Sequence, residues 1–181
     1  MDEQIIADVG QWLDDVVIGL NLCPFAARPR AEKRVRICVS HATTDEALLD
    51  DMQTELERLS DASPTEVETT LLVIPDMLAS FEDYNQFLDL VDLWVEQFGW
   101  EGDMQVASFH PDYQFAETEP DDAGNLTNRS PWPMLHLIRE DSLEQALEHF
   151  PDAEGIPERN IKRMEALTAD ERRRLFPYLF G

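Results

Sequence analysis

Cys23 has the sequence context of a reactive thiol. It directly precedes Pro24, and a Cys-Pro step at a helix start places the sulfur near unpaired backbone N–H groups, which favour the thiolate. Arg28 follows closely and would favour the thiolate further. The pattern predicts that Cys23 is a catalytic nucleophile. The alternative is a cysteine that packs as a small apolar residue beside Phe25.

His110 is the second candidate for catalysis. It lies between a predicted strand and Pro111, where an imidazole could act as a general acid or base, or bind an anion. With Asp112 and His136 it could also form a metal site, although no pair of these residues has the spacing of zinc ligands. The structural alternatives are a hydrogen-bonded loop histidine at 110 and a core histidine at 136. We predict no metal ligands and no cofactor.

A later group of polar residues is suited to bind a small anion. Arg129 offers a planar guanidinium that matches a carboxylate or phosphate, and Asn128 and Asn125 add neutral donors. Together with Arg28, these residues are the predicted substrate-binding set, and the predicted partner is a small anionic molecule. Alternatively, Arg129 pairs with a carboxylate of the protein, and Asn125 forms a turn.

The chain is strongly acidic. It has 38 Asp and Glu residues against 14 Lys and Arg residues, so its formal net charge is −24. Such a surface repels the phosphates of nucleic acids, and we expect no nucleic-acid partner. Lysine is scarce among the basic residues. This composition is typical either of proteins from a salt-rich cytoplasm or of ordinary acidic proteins. Stabilisation by KCl is expected only in the first case.

No stretch of the sequence has the pattern of a membrane or export segment. No apolar run is long enough to span a bilayer. Asp2, Glu3 and Asp8 lie where a signal peptide needs positive charge. The sequence therefore predicts a soluble cytoplasmic protein with no membrane partner, in which Cys23 and Cys38 are reduced thiols.

Apolar patterns predict the elements that must position the candidate residues. Helices are expected where apolar residues recur at helical spacing, and strands where short runs are apolar or alternate. The predicted helices span 4–18, 43–59, 80–98, 143–150 and 157–178, the last broken near Thr168, and the predicted strands span 35–39, 69–74, 105–109 and 134–138. With 181 residues, 43% of them hydrophobic, the chain is long enough for one domain over 1–181.

The order of these elements predicts an α/β fold. We expect a small mixed sheet of about four strands, mostly parallel with the last strand antiparallel, covered by helices and followed by a helical C-terminal region. In such sheets, ligands gather beyond the carboxyl ends of the parallel strands. His110 follows the third strand and Arg129 precedes the fourth, so both should meet at that edge. Cys23 joins them only if the first helix ends there as well.

Three blocks of sequence are distinctive. They are Gly-Leu-Asn-Leu-Cys-Pro-Phe-Ala at 19–26, Ser-Phe-His-Pro-Asp-Tyr-Gln-Phe at 108–115, and Asn-Arg-Ser-Pro-Trp-Pro at 128–133 followed by His-Leu-Ile-Arg-Glu at 136–140. In this order they resemble a family of bacterial proteins, the domain-of-unknown-function family 1415, over nearly the whole chain. The resemblance implies a single-domain, soluble bacterial protein and implies no particular activity, cofactor or catalytic residue.

Three functions are compatible with these residues. The first is an enzyme that acts on a small anionic substrate, with Cys23 as nucleophile and His110 as acid or base. The second is an anion-binding or regulatory protein without catalysis, in which Cys23 only packs. The third is a metal-dependent hydrolase that uses His110, Asp112 and His136.

Overall fold

A four-stranded mixed sheet lies at the centre of the computed structural model, which describes residues 1–180. The strands are β1 (Val35–Val39), β2 (Thr69–Val73), β3 (Met104–Phe109) and β4 (Met134–Arg139), in the spatial order β1-β2-β4-β3. β1 and β2 are parallel, whereas β4 is antiparallel to both β2 and β3. The predicted α/β class, with a small mixed sheet and an antiparallel last strand, is confirmed.

Helices cover both faces of the sheet, as the apolar patterns predict. They are α1 (Asp2–Trp12), α2 (Ala27–Ala31), α3 (Asp45–Asp61), α4 (Phe81–Gln97), α5 (Glu140–Glu148), α6 (Ile156–Glu165) and α7 (Ala169–Leu175). The predicted break near Thr168 is confirmed, because Thr168 caps α7 and forms a reciprocal capping box with Glu171. Among the described residues, no helix combines the length and the apolar composition needed to cross a membrane.

The alternation of side chains along β2 separates the core into two layers. Leu71 and Val73 pack on the side of α1 and the C-terminal helices. Leu72 and Ile74 pack on the other side, against α3 and α4. Both faces of the sheet are therefore apolar, which explains why β2 is a continuous apolar run instead of an alternating one.

The first helix changes its winding before it ends. α1 continues into a π-helical segment, Leu13–Ile18, and the N–H of Leu22 donates to the carbonyl of Val17 at 2.9 Å. Gly19 is required here, because a Cβ atom at this position would lie 2.3 Å from the carbonyl oxygen of Asp15. The chain then turns at Asn21, whose φ is +54°. This wide winding places the following segment, with Cys23, beside the sheet.

Tyr84 links three elements through its hydroxyl group, and its removal should destabilise the fold. The fully buried hydroxyl donates to the carbonyl of Met134 at 2.6 Å and accepts the N–H of Phe109 at 3.1 Å. Tyr84→Phe removes both of these buried hydrogen bonds, so we expect the free energy of unfolding in urea to fall by about 1–3 kcal/mol. Tyr113→Phe is the control, because its hydroxyl bonds only Ser108, at 3.2 Å. Equal losses in the two variants would contradict this account.

His41 ties the start of α1 to the segment after β2 and should make stability depend on pH. Its Nδ1 lies 2.6 Å from Asp76 and its Nε2 lies 3.1 Å from Asp2. Hydrogen bonds to Asp76 and Asp2 raise the pKa of His41 in the folded state. This contribution is therefore complete below the unfolded pKa of about 6.5 and is lost as the pH rises through the folded pKa.

The matching measurement compares urea unfolding of the wild type and His41→Gln from about pH 5.5 to about pH 8.5. The stability difference between them should shrink as the pH rises. In an Asp76→Asn background, the stability difference caused by His41→Gln should be smaller at low pH as well. A difference that stays constant over this range would show that His41 acts by packing alone.

Candidate functional site

A cavity of about 560 Å³ lies against one face of the sheet. The end of the first helix and the segment after it form one wall, and α5 forms another. The sheet supplies the floor near the amino ends of β1 and β2, with residues from all four strands that share one face: Val35, Thr69, Leu71, Ala107, Phe109, His136 and Ile138. The volume is in the range of small-molecule sites.

The register of the sheet explains why space remains between the sheet and α5 at this point. His136 pairs laterally with Leu71 on one side and with Ala107 on the other. Ala107 has only a methyl group, and Ala146 of α5 is equally small on the opposite wall. Because these side chains do not fill the space between the sheet and α5, the apolar layer stays incomplete. None of the residues of α5 is buried.

Aromatic rings form the inner wall of the cavity. Trp12 and Phe109 meet edge to face, with ring centroids 5.3 Å apart. Phe25 also lines the cavity and meets Phe150, just after α5, with ring centroids 5.6 Å apart. These rings offer the large apolar contact area that an apolar ligand body needs.

Cys23 lines the cavity, but its surroundings differ from those predicted. The expected helix start at Pro24 is wrong, because α2 begins only at Ala27. Burial raises the pKa of the Cys23 thiol, and hydrogen bonds from the backbone N–H groups of Phe25 and Ala26 offset this only in part. Near neutral pH the free protein therefore holds Cys23 mainly as the thiol.

His136 lies on the cavity floor in a fixed tautomer. The hydroxyl of Thr69 donates to the carbonyl of Leu137 at 2.7 Å. The same oxygen must therefore accept from Nε2 of His136, which lies 2.6 Å away. Burial lowers the pKa of His136 to about 4, so the ring is neutral at physiological pH.

Two arginines lie at the rim of the cavity and differ in their contacts. Arg34 is only 13% exposed and is bound by the carboxylates of Glu32 and Glu68 and by the carbonyl of Pro64. Arg28 is 82% exposed and its Nε donates to Glu32 at 2.9 Å. The terminal nitrogens of Arg28 are therefore the cationic donors at the rim that a ligand can reach.

His110 lies away from this cavity. It is fully buried at the end of β3. Its Nδ1 accepts the N–H of Asp112 at 3.0 Å, so its Nε2 donates to the carbonyl of Leu78, also at 3.0 Å. Burial lowers its pKa, and both nitrogens are paired within the protein. His110 thus organises the start of the long loop.

Arg129 and Asn128 organise the end of the same loop. Arg129 donates through Nε to the carbonyl of Tyr113 at 3.1 Å and through Nη2 to that of Pro120 at 2.7 Å. Asn128 donates to the carbonyl of Ser108 at 3.0 Å. The predicted meeting of this segment with His110 is confirmed by a backbone hydrogen bond from His110 N to Asn128 O at 3.2 Å.

Asn125 stabilises the middle of the loop. It is fully buried. Its Oδ1 accepts the N–H of Phe115 at 3.0 Å, and its Nδ2 donates to the carbonyl of Glu119 at 2.8 Å. These bonds satisfy both ends of the amide, so Asn125 contributes no group to the cavity surface.

The structure thus separates the predicted site residues into two groups. Cys23 and Arg28 line the cavity together with His136, whereas the other predicted residues lie in the loop 110–133: His110, Asn125, Asn128 and Arg129. The residues that the sequence analysis missed are chiefly Thr69 and Phe109. The alternation along the strands puts each of them on a definite face, but only the strand order brings these faces together.

The three residues of the hypothesised metal site do not have the arrangement of metal ligands. Over residues 1–180, no group of three His, Cys, Asp or Glu side chains is arranged to hold a metal ion. Both nitrogens of His110 are paired with backbone groups, and Nε2 of His136 is bound to Thr69. The proposed set of His110, Asp112 and His136 therefore does not converge on one point.

Comparison with known proteins gives a family and no activity. The chain matches no curated protein and no solved structure. A family model described as "Protein of unknown function (DUF1415)" matches residues 4–174. Since this match spans nearly the whole chain, the protein belongs to the DUF1415 family.

Proposed function

We propose that the protein binds a small amphipathic anion in the cavity beside Cys23. The observation that supports this function is the cavity itself, about 560 Å³ in volume, with an aromatic interior and an exposed arginine at its rim. Sites of this size usually combine an apolar lining with a few polar groups that orient the ligand. A carboxylate or phosphate attached to an apolar body matches this combination.

The apolar body of the ligand would lie between Trp12, Phe25 and Phe109. All three rings line the cavity, and burying apolar surface against them contributes roughly 25 cal/mol per Å². A short alkyl chain or a single ring would complete the apolar layer between the sheet and α5. This contact provides affinity but does not select for charge.

The charged head group would bind at Arg28. The protein has a net charge of −24, so an anion is repelled from most of its surface. The other lining arginine, Arg34, already binds two carboxylates. Arg28 is therefore the lining cation most able to exchange its contact with Glu32 for a ligand carboxylate.

Octanoate and its neutral analogue octanol test this proposal by calorimetry. Arg28→Gln should weaken octanoate binding about threefold to fivefold, the usual contribution of an exposed ion pair, and should leave octanol binding unchanged. Arg173→Gln is the control, because Arg173 pairs with Asp170 on α7 and does not line the cavity. Ala107→Phe, which fills the cavity, should abolish binding of both probes. Octanoate binding that survives Ala107→Phe would contradict the proposal.

Thiol chemistry at Cys23 is the second candidate function. It is favoured by the presence of the Cys23 thiol and the neutral imidazole of His136 in the lining of one cavity. A thiol attacking a carbonyl carbon would transfer its proton to a base as the new carbon–sulfur bond forms and the C=O π electrons move to the oxygen. When the C=O bond re-forms, the bond to the leaving group breaks, and the leaving group takes up that proton. The raised pKa of the Cys23 thiol argues against a resting thiolate, so this candidate ranks second.

The alkylation rate of Cys23 distinguishes the two candidates. In a Cys38→Ser background, iodoacetamide reports on Cys23 alone. A thiol with a raised pKa should react several-fold more slowly than free cysteine near neutral pH, and octanoate should slow it further. Mass spectrometry of the labelled protein measures both rates. A rate above that of free cysteine would favour the nucleophile over the simple binding site.

A further inference from the structure

The cavity contains one polar atom whose role the protein itself does not explain. Nε2 of His136 is the protonated nitrogen, because it lies 2.6 Å from a Thr69 oxygen whose own proton is given to Leu137. Nδ1 therefore has a lone pair and no proton. Among residues 1–180, the only hydrogen bond of the His136 side chain is the one between Nε2 and Thr69.

A lone pair in such a place is unusual. The ring is partly buried and lines the cavity. Polar atoms that are shielded from bulk water usually have a hydrogen-bond partner in folded proteins. Deep in an apolar cavity, a group that donates to Nδ1 is favoured over one that does not.

Strand pairing in the sheet holds Thr69 next to His136 and thereby fixes Nδ1 as an acceptor. Thr69 and His136 lie on neighbouring strands, β2 and β4. The hydroxyl of Thr69 cannot reverse its direction without giving up the carbonyl of Leu137. A ligand that approaches Nδ1 therefore meets an acceptor, and a carboxylate or ether oxygen there would be repelled.

We propose that the ligand of this cavity is a hydroxylated amphipathic carboxylate whose hydroxyl donates a hydrogen bond to Nδ1 of His136. This inference rests on the binding function proposed above and narrows its ligand class. His136 selects for the hydroxyl, Arg28 selects for the negative charge, and the aromatic rings hold the apolar body between them.

A positional series of hydroxyoctanoates, with octanoate as the reference, tests the inference by calorimetry. At least one isomer should bind about fivefold more tightly than octanoate, the usual gain from one neutral hydrogen bond. In His136→Phe this gain should vanish while octanoate still binds. Thr69→Val should reduce the gain, because the ring is then free to adopt the other tautomer.

Nitrogen NMR of the imidazole provides a test that does not depend on any ligand. The wild type should show the Nε2–H tautomer of His136, and Thr69→Val should show a mixture. Observation of the Nδ1–H tautomer in the wild type would overturn the inference, even if His136→Phe fails to fold.

The outcomes separate this inference from the proposed function. If octanoate binds with the expected dependence on Arg28 but no hydroxyl isomer gains affinity, the hydroxyl preference is wrong and the binding function stands. If neither octanoate nor any hydroxyoctanoate binds, both are wrong. A gain that persists in His136→Phe would assign the hydroxyl to a different group.

Discussion

The insertion of β4 between β2 and β3 is the constraint on which the rest of the structure depends. β4 is antiparallel to both neighbours and pairs with β3 along its whole length and with β2 from Met134 to Ile138. This pairing puts the carbonyl of Met134 within reach of Tyr84 and sets Thr69 against His136. A shift of one residue in this register would turn His136 to the opposite face, against α3 and α4. The cavity floor and the buried core are therefore specified by the same set of hydrogen bonds.

The two faces of the sheet are filled to different degrees, and this difference creates the site. On the side of α3 and α4, large side chains such as Leu56 and Leu72 are fully or almost fully buried. On the other side, Ala107 and Ala146 leave space under a helix that has no buried residue of its own. An apolar space of this kind weakens packing. A ligand that fills it restores those contacts, so binding and stability are linked here.

Local sequence patterns predicted the elements well and the site only in part. The helix break near Thr168 and the antiparallel last strand were predicted because each depends on nearby residues. The start of α2 at Ala27 was not predicted, because the π-helical winding before it is set by packing against the sheet. His136 was assigned to the core because its neighbours in sequence are apolar. Its place in a cavity follows from strand order, which depends on long-range pairing.

The loop 110–133 shows why residue type alone is a weak guide to a binding site. Arg129 has the guanidinium that anion sites use, yet it donates to the carbonyls of Tyr113 and Pro120. A loop of this length contains many backbone carbonyls that no strand or helix satisfies, and an arginine has enough donors to pair with several of them. The carbonyl of Arg129 in turn accepts from Trp12 at 3.1 Å. Trp12 also lines the cavity, so the loop supports the site by fixing the position of this aromatic side chain.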